Sequence, residues 1–363
     1  MKILRLIIYY LIIILGFIEP VFASFKTDNL FIETRGSYAV FLAHRPNLRA
    51  YPNAHFGMYE LNIGKQVNGS KSWHLLYHYP NVGMSFFYTG IAQNKYTGYA
   101  VAGFAYIQFP YARFKNSNFN FKLALGPGWI EKKFDRLTNY KNLVTGTHLN
   151  AAIQLTQSYA IALSKHQHLS FGLCLTHFSN GAYKLPNLGV NLTGLQLAYQ
   201  YKFKEVKKSI IDTSLFQKKH HITIAYSAGL KQVYPVLGKQ YFLSNVSVAF
   251  MNNYKEKGSV GLILDLFKDA SVSHQMLFDT DASNNQKSNV QIGIAGVYEI
   301  AIDKFTIPLL AGFYVYNNYK VLPIMYLKFG LNYYISKQIL LSFNLKSHYA
   351  KADYFSYGVG YKF

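Results

Sequence analysis

Hydrophobic and polar residues alternate with period two along most of the chain beyond residue 30. That pattern belongs to strands with one apolar face, not to amphipathic helices. The end of the chain shows it plainly. Phe355, Tyr357, Val359, Tyr361 and Phe363 fall on one face; Ser356, Gly358, Gly360 and Lys362 fall on the other. The alternation predicts two series of eight strands. The first is Phe31–Ala43, Phe56–Val67, Trp73–Tyr88, Gly98–Arg113, Phe119–Trp129, His148–Leu163, His168–His177 and Asn191–Phe203. The second is His221–Lys231, Gln240–Met251, Gly258–Phe267, Asn289–Ile302, Phe305–Val315, Ile324–Ile335, Ile339–Ser347 and Phe355–Phe363. An aromatic face backed by a small or polar one suits a strand with lipid outside. The expected fold class is all-β, an antiparallel transmembrane β-barrel. An eight-stranded unit is followed either by a second barrel or by the rest of one larger barrel of about 14–16 strands.

Composition narrows the class. Half of the 363 residues are hydrophobic, 17% are aromatic, and mean hydropathy is +0.04. A disordered chain would need low hydrophobicity. Past residue 23 no uncharged apolar run approaches the ~18–20 residues of a spanning helix. The first 23 residues read as a signal peptide: Lys2 and Arg5, the apolar stretch Leu6–Ile18, then Val21-Phe22-Ala23 as the cleavage site. The single Cys174 excludes an internal disulfide. The two series also repeat one another. Ser164-Lys165, Leu169-Ser170-Phe171 and Leu173 match Ser336-Lys337, Leu341-Ser342-Phe343 and Leu345 at an offset of 172. Tyr201-Lys202-Phe203 closes the first series as Tyr361-Lys362-Phe363 closes the chain. Residues 24–203 and 220–363 are therefore the expected units, joined by a basic linker at 204–219. That linker is long for a turn within a single barrel.

Lys and Arg outnumber Asp and Glu by 37 to 16, a formal charge of +21. Such a charge can point to nucleic acid, but the signal segment and barrel pattern point to the bacterial cell outer membrane, whose outer leaflet is polyanionic. Lys132, Lys133, Lys141 and Lys184 fall in loops on that side and suit phosphate groups. No phosphate loop, zinc spacing or nucleotide fingerprint is present, so neither cofactor nor metal is expected, and no nucleic-acid partner.

Chemistry concentrates in residues 176–191, Thr-His-Phe-Ser-Asn-Gly-Ala-Tyr-Lys-Leu-Pro-Asn-Leu-Gly-Val-Asn. Alternation places His177 and Ser179 with Leu169, Phe171, Leu173 and Leu175 on the apolar face of one strand. Asn191 shares the apolar face of the next strand with Thr193, Leu195, Leu197 and Tyr199. All three would face outward, towards lipid, at one end of adjoining strands. If the first strand leaves the periplasm, the seventh connection is extracellular and the set lies at the outer leaflet. A polar constellation in that place calls for a lipid substrate.

The segment His177-Phe178-Ser179-Asn180, followed by Asn187-Leu188-Gly189-Val190-Asn191, resembles the motif of the PagL-like lipid A 3-O-deacylases. In that family His-x-Ser-Asn precedes Asn-x-Gly-x-Glu on the next strand. The resemblance covers residues 24–203. It implies a serine esterase that removes an ester-linked acyl chain from lipid A of lipopolysaccharide, with Ser179 as nucleophile and His177 as general base and then acid. It further implies an oxyanion site from the backbone of Asn180 and Gly181 with the Asn187 side chain. This chain departs from the motif at Asn191, where the family has Glu; an amide orients an imidazole but brings no charge. Asp135, in the loop at 131–135, is a candidate substitute acid. The terminal Phe363 resembles the signal read by the barrel-assembly machinery. The alternative is a non-catalytic outer-membrane channel or binding barrel. The second unit lacks the motif: His348 falls near the equivalent place, but Tyr349-Ala350 follow it.

Overall fold

The computed structural model describes residues 29–49, 51, 54–91, 95–205, 220–254, 257–278, 288–319, 321–349 and 351–363. The signal segment and most of the basic linker lie outside these residues. The first series is β1 (Leu30–Phe41), β2 (Phe56–Gln66), β3 (Asn81–Gly90), β4 (Tyr99–Arg113), β5 (Ser117–Ile130), β6 (Leu149–Ala162), β7 (Gln167–Ser179) and β8 (Val190–Lys202). The second is β9 (His220–Gln232), β10 (Gln240–Tyr254), β11 (Gly258–Asp269), β12 (Val290–Ile302), β13 (Phe305–Asn317), β14 (Met325–Tyr334), β15 (Ile339–His348) and β16 (Lys351–Lys362). Each series closes on itself into an eight-stranded antiparallel barrel. β8 returns to β1, with Tyr201 opposite Ile32 and Leu192 opposite Phe41. β16 returns to β9, with Lys362 opposite Thr223. Closure leaves no strand edge for a merged sheet, which rules out the single larger barrel.

The third predicted strand needs correction at its start. Residues 73–80 were expected to be extended, but Ser72–Leu76 forms a short helix, and His78 and Tyr79 take positive φ before Pro80. Trp73, His74, Leu75 and Leu76 do not alternate, so no strand face exists there to bury.

Side chains sort by face as the alternation requires. On β7, Phe171 and Leu173 are exposed while Cys174, Thr176 and Phe178 are buried. The interiors are polar and filled. In the first barrel Arg35 donates to Glu33 at 2.5 Å and to Gln108 at 2.9 Å, while Lys122 binds Glu60 and Asn62. In the second, Lys231 lies 2.6 Å from Asp269 and 2.8 Å from Asp353, and Lys328 lies 2.7 Å from Asp265. Buried charges persist when paired. An eight-stranded barrel is just wide enough for such side chains to fill it. The interiors are thus packed with ion pairs, unlike the wide lumen of a porin.

One end carries longer loops. Connections β1–β2, β5–β6 and β7–β8 span residues 42–55, 131–148 and 180–189, whereas β4–β5 and β6–β7 turn within 114–116 and 163–166; at that other end only β2–β3, residues 67–80 with the short helix, is long. The barrels stand side by side with like ends together. At the short-turn end Lys71 pairs with Asp303 at 2.6 Å, and the Tyr77 hydroxyl donates to the Lys257 carbonyl at 2.8 Å.

The repeat is geometric too. Ser164 Oγ accepts from Gln167 N–H and Ser336 Oγ from Ile339 N–H, at 3.1 and 3.0 Å. The offset of 172 at these turns falls to 160 by Tyr201 and Tyr361. Most of the difference is one loop: residues 180–189 join β7 to β8, but only 349–350 join β15 to β16, and the shorter β15 and β16 account for the rest. The second barrel lacks the loop that carries the motif. His348 points into its interior and bonds the Tyr314 hydroxyl at 2.9 Å.

Candidate active site

β7 and β8 pair with His177 directly opposite Asn191. Directly opposed residues in an antiparallel pair project on the same face. That face is the outer one, continuous with exposed Leu195 and Leu197. His177 Nδ1 and Asn191 Oδ1 are 2.5 Å apart. An amide oxygen can only accept, so His177 carries its proton on Nδ1 in this pairing. Asn191 Nδ2 in turn donates to His44 Nδ1 at 2.9 Å. His44 lies just past β1, and the Leu42 N–H extends the β1–β8 pairing by donating to the Asn191 carbonyl at 2.8 Å. The polar row is therefore His177, Asn191, His44. Sequence reasoning missed His44, because only barrel closure brings the end of β1 beside β8.

Ser179 ends β7, two residues beyond His177 on the same face and 5% exposed. Its hydroxyl oxygen accepts from Gly181 N–H at 3.1 Å and from Asn187 Nδ2 at 2.9 Å. The hydroxyl in turn donates to Asn187 Oδ1 at 3.3 Å, so Gly181 and Asn187 together hold the serine oxygen in place. Asn180 plays a different part from the backbone donor expected of it. Its N–H is committed to Asn187 Oδ1 at 3.1 Å, which turns Asn187 Nδ2 towards Ser179. The Asn180 side chain ties down the loop by donating to Thr147 Oγ1 at 3.1 Å and to the Lys184 carbonyl at 2.8 Å. Ser179 makes no hydrogen bond to His177. Successive same-face residues on a strand are about 6.6 Å apart, and catalytic hydrogen bonds commonly tighten only when substrate binds.

The loop at 180–189 is held by its neighbours. Leu188 N–H and Gly189 N–H donate to the Leu143 and Val144 carbonyls at 3.2 and 2.9 Å. Gly189 is required twice over. Its φ is +76°, and a Cβ there would come within 2.8 Å of His177 Cε1. Asp135 sits elsewhere. Its carboxylate accepts from Leu137 N–H, Thr138 N–H and the Thr138 hydroxyl at 2.8–2.9 Å, all in its own exposed turn. Those bonds hold its pKa below the usual aspartate range. It makes no contact with His177. The position beside His177 belongs to Asn191.

No curated protein sequence matches this chain. Similar solved structures include neisserial surface protein A, at 10% identity and a TM-score of 0.33, covering 48% of this chain and 97% of that one. A triple mutant of the Rhodopseudomonas blastica porin is similar at 10% identity and a TM-score of 0.18, covering 92% and 99%. Family models match both barrels. The one described as lipid A 3-O-deacylase (PagL) matches residues 57–200, and the one described as acyloxyacyl hydrolase, C-terminal domain, matches residues 220–363. The chain belongs to the PagL family of lipid A 3-O-deacylases, enzymes of the bacterial outer membrane.

Proposed function

We propose that this chain is a serine esterase of the outer leaflet that removes the 3-O-linked acyl chain of lipid A. The observation that carries the reading is the outward-facing set His177, Asn191 and Ser179, with Gly181 N–H and Asn187 Nδ2 aimed at the serine oxygen. Ser179 Oγ attacks the ester carbonyl carbon while His177 Nε2 takes its proton. Negative charge collects on the carbonyl oxygen, and Gly181 N–H and Asn187 Nδ2, which hold the serine oxygen in the free enzyme, turn to it as the new bond forms. The carbon–oxygen bond to the sugar breaks, and His177 passes the proton to the leaving sugar oxygen. Water, deprotonated by His177, then attacks the acyl-serine; the bond to Ser179 Oγ breaks, His177 returns the proton to that oxygen, and a free fatty acid leaves.

Asn191 replaces the expected carboxylate as orienter. It keeps the productive His177 tautomer but gives the imidazolium no counter-charge, so chemistry is slower than with an acid in that place. Acyl chains have a place to lie. An open groove of about 710 Å³ on the outer wall is lined by Gly36, Tyr38, Gly57, Tyr59, Leu195 and Leu197, the last two on the same strand face as Asn191. Lys132, Lys133, Lys141 and Lys184 belong to loops at the site end and suit the phosphates of the glycolipid. Phe363 is exposed at the end of the last strand, where assembly machinery could engage it.

The test is Ser179→Ala in cells, read by mass spectrometry of lipid A. Loss of the deacylated species, with the barrel still assembled, is expected. Undiminished deacylation in that variant would overturn the assignment. Packed interiors disfavour the channel reading, which predicts ion conductance in planar bilayers.

A further inference from the structure

The second barrel reaches the loop that carries the oxyanion donors. Gln232, at the end of β9 and 4% exposed, makes three hydrogen bonds. Its backbone N–H donates to the Ala182 carbonyl at 2.8 Å. Its Oε1 accepts from Leu185 N–H at 2.6 Å. Its Nε2 donates to the Gly238 carbonyl at 2.6 Å, which fixes the side chain within its own hairpin. Gln240, directly opposite Gln232 in the β9–β10 ladder, donates through Nε2 to the Tyr183 carbonyl at 2.8 Å. The Phe355 ring of β16 packs on Gly181, so closely that a Cβ there would collide with it. This contact also explains why Phe355 is only half-exposed, while Tyr357, Val359 and Phe363 of the same face are exposed.

The hydrogen bonds fall between the two donors, and the Phe355 ring packs on the first of them. Gly181 and Asn187 flank the stretch 182–185, and that stretch is where the second barrel holds on. Rigid support of this kind is what a preorganised oxyanion site requires, since donors that must reorganise during reaction lose their advantage. The shortened β15–β16 hairpin removes the loop that would otherwise stand at the same end of the second barrel. We propose that the second barrel is a positioning domain for the first, acting through its β9–β10 hairpin. Gln232 is the positioning residue that sets the spacing of Gly181 N–H and Asn187 Nδ2. The proposal rests on Ser179 being the nucleophile.

The test uses the full chain in detergent micelles, with release of fatty acid from purified lipid A as the readout. Gln232→Ala removes both side-chain bonds; Gln232→Glu keeps the acceptor for Leu185 N–H and, as the neutral acid that burial favours, an O–H for the Gly238 carbonyl. Gln232→Ala should lower kcat about tenfold or more with KM within twofold. Gln232→Glu should recover to within about threefold of the parent. Thermal melting of both variants should stay close to the parent, because the ladders and interiors of both barrels are untouched. Unchanged or increased kcat in Gln232→Ala overturns the proposal, the increase marking the contact as a restraint. A fall that Gln232→Glu does not repair, or that follows a loss of folded barrel, also overturns it, leaving a mere brace. Ser179→Ala, run alongside, keeps the two claims apart. If it stays active, the nucleophile assignment has failed; if it is inactive and Gln232→Ala is normal, only the positioning role has.

Discussion

Asn191→Asp changes one side-chain nitrogen to oxygen and adds a charge without changing shape. Asn191 Oδ1 lies 2.5 Å from His177 Nδ1, so the geometry for a counter-ion already exists. A carboxylate would face an imidazolium whose charge centre is about 4 Å away, an attraction of about 4 kcal/mol at an effective dielectric of ~20. Both residues are half-buried, and water screens part of this. The present neutral hydrogen bond already contributes about 1 kcal/mol. Roughly 2 kcal/mol of added transition-state stabilisation remains, equivalent to about 30-fold in kcat. His44 accommodates the change by moving its proton to Nδ1 and donating to the new oxygen. KM should hardly move, because the charge it complements appears only as His177 accepts the proton. The assay is steady-state release of fatty acid from lipid A in mixed micelles, with Asn191→Ala as companion. The Asp variant should be tenfold or more faster, and the Ala variant slower than the parent. If the Asp variant gains nothing while the Ala variant matches the parent, Asn191 does not stand behind the base.

Four other outcomes follow from the geometry. His44→Ala frees the Asn191 amide to turn, and should lower kcat about fivefold at unchanged KM, about 1 kcal/mol of lost orientation; an unaffected kcat argues against the polar row. Gly189→Ala places a methyl against His177 Cε1 at a positive φ and should cost about 1–3 kcal/mol in strain; activity should collapse while the barrel still shows its heat-modifiable mobility on gels. Asp135→Asn should leave kcat/KM within twofold, since that carboxylate serves only its own turn. Lys122→Met leaves Glu60 buried without its partner and should destabilise the first barrel by about 3–5 kcal/mol, visible as a lower unfolding midpoint in urea.

The fold was largely legible because period-two alternation is a local property, and a lipid-facing wall imposes it on every strand. All sixteen strands could be read in that way. What could not be read was closure. Whether β8 meets β1 or β9 depends on residues some 170 positions apart, and the aromatic outer face is the same either way. The site divides along the same line. His177, Ser179, Asn187 and Asn191 lie within one hairpin: parity places His177, Ser179 and Asn191 on one face, and the motif brings in Asn187. His44 and Gln232 reach the site only through the β1–β8 seam and the neighbouring barrel. The committed N–H of Asn180 was hidden for another reason: a loop with φ values of +60° at Gly181 and +59° at Ala182 follows no period from which donor directions can be inferred.

A reactive group on the outside of a wall changes what concentration means for this enzyme. In the proposed site His177 is on the outer wall and Ser179 lies just beneath it, so substrate would not arrive from solution. It arrives by lateral diffusion in two dimensions, already oriented with its sugar at the height of the loops. The governing variable is then the mole fraction of the glycolipid among its neighbours, not its molarity. Dilution with inert amphiphile should slow turnover even when total lipid stays constant. An intact, tightly ordered leaflet, with little lateral exchange, would keep such an enzyme idle without any inhibitor.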